Sequence, residues 1–443
     1  MTKNIVNIIF FLTFILLTNC SLDNKTGIWK EENKSLKKTE KENLGPKFQI
    51  FSSSKHNIKE VAFNKKVNLK KPIKNVSWPM SDLNLQSNLG NLYLSGIDKK
   101  FLKKQAGKNK FNVAKVLSSP IFIDDAIIVS NNFGTIYKID KRGKIRWKIN
   151  IYKKINKKFY KSLSYTFYKG NIFISDNLGF IYVVSFDTGS LIWKKRYESP
   201  FKTKIKIFND RIFLVNQENK ILCLDTKGKK IWDIQTVTSF IKSQDFLGLS
   251  LSKKGELIAI NSAGDILKAD DNGRILWSMN SLGSLISHDS DFFSSSNIVV
   301  TDEDVIFSSS ESTFSLTLQN GYVNWNKKIN SSNTPIVVGD NVFLVSDNGY
   351  FINLDLKSGN VIWSTYLLKV LKKKKQNTFI SGFVLGSDKV YITTQNGYLI
   401  VCSALTGRID LFKKIASSIN TSPIISNGEL YILTGDSKLL GFK

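Results

Sequence analysis

The sequence predicts an all-β protein: an eight-bladed β-propeller of four-stranded antiparallel blades, closed into a ring by an N-terminal strand. Two observations lead there. A Gly-x-x-x-Trp signature recurs as GKIRW at 143, GSLIW at 189, GKKIW at 228, GRILW at 273, GYVNW at 321 and GNVIW at 359, with GRIDL at 407 as a seventh member. Its spacings of 46, 39, 45, 48, 38 and 48 residues are those of a repeat architecture. The second observation is that the chain stops early. After the seventh unit, "NTSPIISNGELYILTGDSKLLGFK" supplies strands for only part of another blade.

Each repeat resolves into strands. Residues 342–346 alternate, Asp347-Asn348-Gly349 makes a tight hairpin turn, residues 350–354 alternate again, and Lys357-Ser358-Gly359 turns into the strand that carries Trp363. Asn-Gly suits a turn with positive φ at its central residues. Gly134, Gly179, Gly264 and Gly397 hold the equivalent place, with Asn219 in the third unit and Ser312 in the fifth. An inner strand such as "TPIVV" at 334–338 completes four strands per unit, and four-stranded units repeated radially make a propeller. A Trp repeated at a fixed offset on the outermost strand is a packing element, so Trp147, Trp193, Trp232, Trp277, Trp325 and Trp363 are read as structural. Trp78 in "PIKNVSWPM" is read the same way, on a closing strand at 73–79 that completes an eighth blade with residues 420–443. Such closure removes both sheet edges.

The chemistry inventory is nearly empty. Cys20, Cys223 and Cys402 form no CxxC pair, and His56 and His288 stand alone, so no zinc-type site is expected. No phosphate-binding loop, nucleophile elbow or HExxH is present. Catalytic, cofactor-binding and metal residues are therefore all assigned as none. Cys223 and Cys402 fall in the third and seventh blades, opposite each other, and should stay unpaired because a disulfide needs Cα atoms within about 7 Å.

The formal charge is +28, yet only six of the 64 basic residues are Arg. Lys, Asn, Ile and Phe enrichment reads mainly as compositional bias, and with an exported chain it argues against nucleic acid. Three local runs remain: 98–110, 153–161 and 372–375. All are read as connectors between blades, crowding one arc of one face.

The N-terminus "MTKNIVNIIFFLTFILLTNC" has one Lys, a short apolar run and a stop at Cys20, the shape of a secretory signal over residues 1–20. It resembles a bacterial lipobox, which implies lipid attachment at Cys20, although Asn19 departs from the usual small residue before the Cys. An uncleaved anchor is the alternative, and both export the chain. Residues 21–72 read as a polar flexible tether reaching roughly 35–45 Å, and residues 73–443 as the propeller.

The Gly-x-x-x-Trp endings, with hairpins such as "GTIYKID" and "GYFINLD", resemble the pyrroloquinoline-quinone-type propeller repeat. With Cys20, the tether and "WPMSDLNLQSNLGNLYLSG" at 78–96, the whole resembles the BamB family of outer-membrane protein assembly factors, in its alphaproteobacterial form. The resemblance implies a non-catalytic, cofactor-free lipoprotein on the periplasmic face of the outer membrane. Its implied partners are the POTRA domains of a BamA-like barrel-inserting protein, other subunits of the complex and unfolded outer-membrane proteins. It also implies that Phe240, Ile241 and Lys242, between the third and fourth blades, stand where the family has Leu and Arg at its partner surface. Two alternatives stay open. A quinoprotein dehydrogenase commonly has adjacent cysteines, but Cys223 and Cys402 are 179 residues apart. A propeller that binds a small ligand in its central channel is the other.

Overall fold

A computed structural model describes residues 20–22, 29–31, 58–63, 67–88, 90–108, 118–237, 247–281, 293–309, 311–375 and 378–443. The chain divides into two compact units, Met1–Lys55 and His56–Lys443. Within the first, Cys20–Leu22 pairs antiparallel with Trp29–Glu31. The second holds eight four-stranded antiparallel sheets. Its boundary moves the expected tether, because residues 58–72 are not free of the propeller: Val61 pairs with Ser364 of the sixth blade and Val67 is buried.

Seven blades are consecutive in the chain. From innermost to outermost strand they run Ile121–Ile123 to Ile145–Asn150, Leu163–Tyr168 to Leu191–Arg196, Lys206–Phe208 to Lys230–Gln235, and Leu249–Leu251 to Ile275–Asn280. The fifth to seventh run Val299–Val300 to Val323–Lys327, Ile336–Val338 to Val361–Tyr366, and Ile380–Gly386 to Ile409–Lys414. Inner and middle strands are Ile-, Val-, Leu- and Phe-rich and buried on both faces, as between two packed neighbours. Asn219, expected to replace glycine in its turn, does so with φ of 59°.

The eighth blade closes the ring, but not with residues 73–79. Its outermost strand is Lys100–Gln105, paired with Lys438–Phe442 at the C-terminus. The expectation went astray because this strand buries only Leu102 fully, with Phe101 half-buried beside it; its lysines hide the alternation in a lysine-rich run. Trp78 is therefore no blade tryptophan. It lies against the innermost strand of the first blade, bridged to Phe122.

The recurrent Gly and Trp belong to consecutive blades. Trp147 covers Gly189, and a Cβ there would stand 2.6 Å from Trp147 Cδ2. Gly189 also takes φ of 73°, which only glycine adopts at little cost. Trp193 over Gly228, Trp232 over Gly273, Trp277 over Gly321, Trp325 over Gly359 and Trp363 over Gly407 repeat the contact. The indole N–H of Trp147, Trp277 and Trp325 donates to Phe186, Leu318 and Leu356, each three residues ahead of the covered glycine. A β-bulge precedes each blade tryptophan, as where Val183 pairs with Trp193 and Val184 with Leu191, skipping Ile192. Bulges increase local twist, which turns the indole toward the next blade. The seventh unit has Leu411 instead, for a reason the ring supplies. The eighth blade takes its outer strand from the other end of the chain, so it has no third-to-fourth turn to cover. The eighth blade in turn uses Leu102 over Gly143 of the first.

Cys223 and Cys402 are free and buried, in the third and seventh blades as expected. Burial pushes both thiols up to about 12.

Candidate functional site

Two regions qualify: the central channel, where a propeller commonly holds a ligand, and the face formed by the connectors between blades. The chain itself runs through the channel. Residues 78–92 enter beside the first blade, turn, and leave beside the seventh. Trp78 and Phe122 exchange both backbone hydrogen bonds, at 2.6 and 2.9 Å. Ser81 N–H donates to Tyr165 of the second blade at 3.0 Å. Leu251 and Val300, of the fourth and fifth, donate to the carbonyls of Leu85 and Gln86 at 2.9 and 3.0 Å. Leu92 donates to Leu385 of the seventh at 3.1 Å, and beyond the plug Ser95 donates to Gly428 of the eighth at 2.9 Å. Ahead of the plug, Asn341 of the sixth donates to the Asn68 carbonyl at 3.1 Å.

The third blade contributes Lys206, which is fully buried. Its ammonium donates to the Asn84 carbonyl at 2.7 Å, to Ser87 Oγ at 2.8 Å and to the Leu85 carbonyl at 3.3 Å. Nearby, Lys204 pairs with the buried Asp82, which also accepts from Asn297 Nδ2 at 3.0 Å. A wider cavity of about 570 Å³ lies between residues 84–91 of the plug and the fifth and sixth blades, lined by residues including Asn84, Gln86, Val300 and Val337. At the end beside the first blade, what remains of the channel is a cavity of about 40 Å³ lined by residues including Trp78, Asp82, Lys204 and Phe383. That is room for a water or two, not for an aromatic cofactor.

Lys206 makes the plug pH-sensitive in a definite direction. Desolvation lowers its pKa from 10.5 to about 8, with Lys204 adding to the effect and Asp82 opposing it. Between those values the folded lysine is neutral while the unfolded one still holds its proton. The unfolded state then binds more protons, so stability rises with pH across that window. Above about pH 10 the trend reverses, because Tyr165 and Tyr152, held up by burial, ionise first in the unfolded chain. Urea midpoints should increase between pH 8 and 10, by on the order of 2 kcal/mol from Lys206. Lys206→Met should remove that share of the rise; an unchanged profile would mean that Lys206 is not the titrating group.

The connector face gathers the links from each outer strand to the next inner strand. Phe240, Ile241 and Lys242 lie outside the described residues; the feet of their connector are Val237, which is exposed, and Leu247, buried and donating to the Lys202 carbonyl at 2.7 Å. Of the three lysine runs, 153–161 and 372–375 do lie in connectors, the latter in the 3-10 helix Leu367–Lys375. The run 98–110 is mostly the closing strand. Among the described residues, sequence reasoning missed four exposed apolar side chains on this face: Ile155, Phe159, Val237 and Phe379. Their signal was weak, because an isolated Ile or Phe in a loop has no periodicity.

The connector between the first and second blades is anchored by buried polar side chains in its described part. Tyr152 Oη donates to Asp176 Oδ2 at 2.8 Å, both buried. Lys161, also buried, donates to the carbonyls of Asn156 and Phe159, and its ammonium lies 4.6 Å from the centre of the Tyr152 ring. Burial lowers the Lys161 pKa to about 8 and raises that of Asp176.

A family model described as "Outer membrane protein assembly factor BamB" matches residues 132–365, which is more than half of the chain. The chain belongs to the BamB family. The BamB protein of Moranella endobia (strain PCIT) is 21% identical over 334 residues, covering 62% of this chain and 83% of that one. The crystal structure of BamB from Moraxella catarrhalis superposes with a TM-score of 0.60 at 14% identity, over 77% of this chain and 98% of that one. A quinohemoprotein alcohol dehydrogenase from Comamonas testosteroni superposes with a TM-score of 0.64 at 11% identity, covering 83% and 80%. At such identities structural likeness establishes the fold, which assembly factors of the BamB family share with dehydrogenases. Family membership rests on the sequence match.

Proposed function

We propose that this chain is a non-catalytic scaffold of outer-membrane protein assembly, held at the periplasmic face of the outer membrane by an acylated Cys20 and a tether that follows it. Its connector face binds the POTRA domains of a BamA-like barrel-inserting protein, with Phe240, Ile241 and Lys242 at the contact, and so aids delivery of unfolded outer-membrane proteins. The carrying observation is that the chain itself threads the channel. With Trp78 to Leu92 hydrogen-bonded along the inner strands, the place where a propeller enzyme would hold its cofactor is occupied by backbone. What the fold offers partners is its outer surface. Family membership supplies the process.

The test is co-purification of the tagged protein from solubilised envelopes. Barrel-assembly proteins should accompany the unaltered chain. Phe240→Asp should abolish their recovery at any salt, since it places a charge in an apolar contact. Replacing Lys372, Lys373, Lys374 and Lys375 by Gln should weaken recovery in a salt-sensitive way. If neither changes recovery, the interface lies on another face; if no assembly protein is recovered at all, the reading fails.

A further inference from the structure

The segment between the first two blades combines two features that ordinary solvated loops lack together. Its tip exposes large apolar side chains: Ile155 is 68% and Phe159 55% exposed. Around them stand Lys153, Lys154 and Lys158, all exposed, and the half-exposed Lys157. A loop with so much apolar surface would be expected to fold back on the protein. Here it is held out. Hydrogen bonds from Asn156 to Lys153 at 3.0 Å and from Phe159 to Asn156 at 3.3 Å close the 3-10 turn Asn156–Lys158. Beneath it the buried ammonium of Lys161 ties down the Asn156 and Phe159 carbonyls, and its backbone N–H donates to Asn132 at 3.1 Å. Burying a lysine is costly, and this one braces a protrusion.

We propose that residues 153–159 form a contact for an anionic phospholipid surface. Ile155 and Phe159 enter the boundary between headgroups and acyl chains, and the four lysines meet phosphate groups. The chemistry fits a bilayer better than a folded partner. The tip is a projection with cations surrounding apolar side chains, the arrangement by which interfacial segments bind membranes. The proposal rests on the reading of Cys20 as a lipid anchor, which would bring the whole chain to the bilayer. A weak second contact then suffices, because two modest membrane signals together bind far better than either alone.

The experiment uses residues 21–443, which keep the whole His56–Lys443 unit and lack the residue to be acylated. Flotation is measured with vesicles of phosphatidylcholine alone and of phosphatidylcholine with phosphatidylglycerol. Binding should require the anionic lipid. Ile155→Ser with Phe159→Ser should weaken it about tenfold or more. Changing Lys153, Lys154, Lys157 and Lys158 to Gln should weaken it about a hundredfold. The charge-matched control changes Lys227, Lys229, Lys254 and Lys357 to Gln, all exposed on turns of the opposite face, and should leave binding unchanged. Thermal midpoints of the variants should match, since every altered side chain is at least partly exposed. Equal loss in the control would reduce the effect to net charge and overturn the proposal. So would unchanged binding of the Ile155 and Phe159 variant, or binding to polyglutamate but not to vesicles, which would make the tip a site for acidic protein. Envelope co-purification reports on the scaffold reading separately, so either reading can fail alone.

Discussion

A chain beginning at residue 106 is expected to aggregate, whereas one beginning at residue 58 is expected to fold with an unchanged urea midpoint. The longer deletion removes Lys100–Gln105, so Lys438–Phe442 becomes an open edge with Leu439, Leu440 and Phe442 behind it. Exposed apolar edges template association. It also removes the plug, leaving the Lys206 ammonium and the inner-strand amides of Leu251 and Val300 without the acceptors they now have. Each unpaired buried group costs about 1–3 kcal/mol, and a buried charge more. A domain is stable by only about 5–15 kcal/mol in total, so the losses together are comparable to the whole stability of the fold. Size-exclusion chromatography and urea unfolding decide it. A monomeric, cooperatively unfolding 106–443 chain would show that neither closure nor plug is needed.

Trp363→Ala should be the most damaging of the blade-tryptophan substitutions, at about 3–5 kcal/mol. Trp363 is fully buried, packs against Phe343 and Phe351, and covers Gly407. Trp193→Ala should cost clearly less, since Trp193 is half-exposed at the rim. Gly407→Ala should also destabilise, because its Cβ would stand 2.6 Å from Trp363 Cε3 and its φ is 74°. The double variant should then cost less than the sum, as the clash with the indole goes while the contact with Thr365 Oγ1 at 2.7 Å and the backbone strain stay. Strict additivity in denaturant midpoints would mean that the glycine and the indole of neighbouring blades are not coupled.

The coupling of neighbours explains why the repeat could be read at all. The Gly of one blade is needed because the Trp of the previous one lies on it, so both are written once per repeat at a fixed offset. The bulge before each Trp left no trace, since any residue tolerates it: Arg146, Ile192 and Leu276 all occupy that position. Leu411 stood in the tryptophan's place in the seventh unit, and only the ring showed that no turn faces it. At the candidate sites the sequence marked the lysine runs but not what braces them. Lys161 and Lys206 looked like two more lysines in a lysine-rich chain, and only burial separates them from the rest.

By itself, then, the sequence determined the blade: four strands, the turn glycines, the tryptophan lock and the unpaired cysteines all follow from patterns a few residues long. It also showed that the last blade had to borrow a strand. Which segment it borrows was decided by tertiary structure. Residues 73–79 and 100–105 compete for that edge, and the difference lies in partners far along the chain. Trp78 buries itself against Phe122 in the channel, and Leu102 finds Gly143 and the C-terminal strand. The plug arose the same way. Its hydrogen bonds join its backbone carbonyls and amides to inner strands from most of the ring, and backbone groups are the one part of a residue that its side-chain letter does not record.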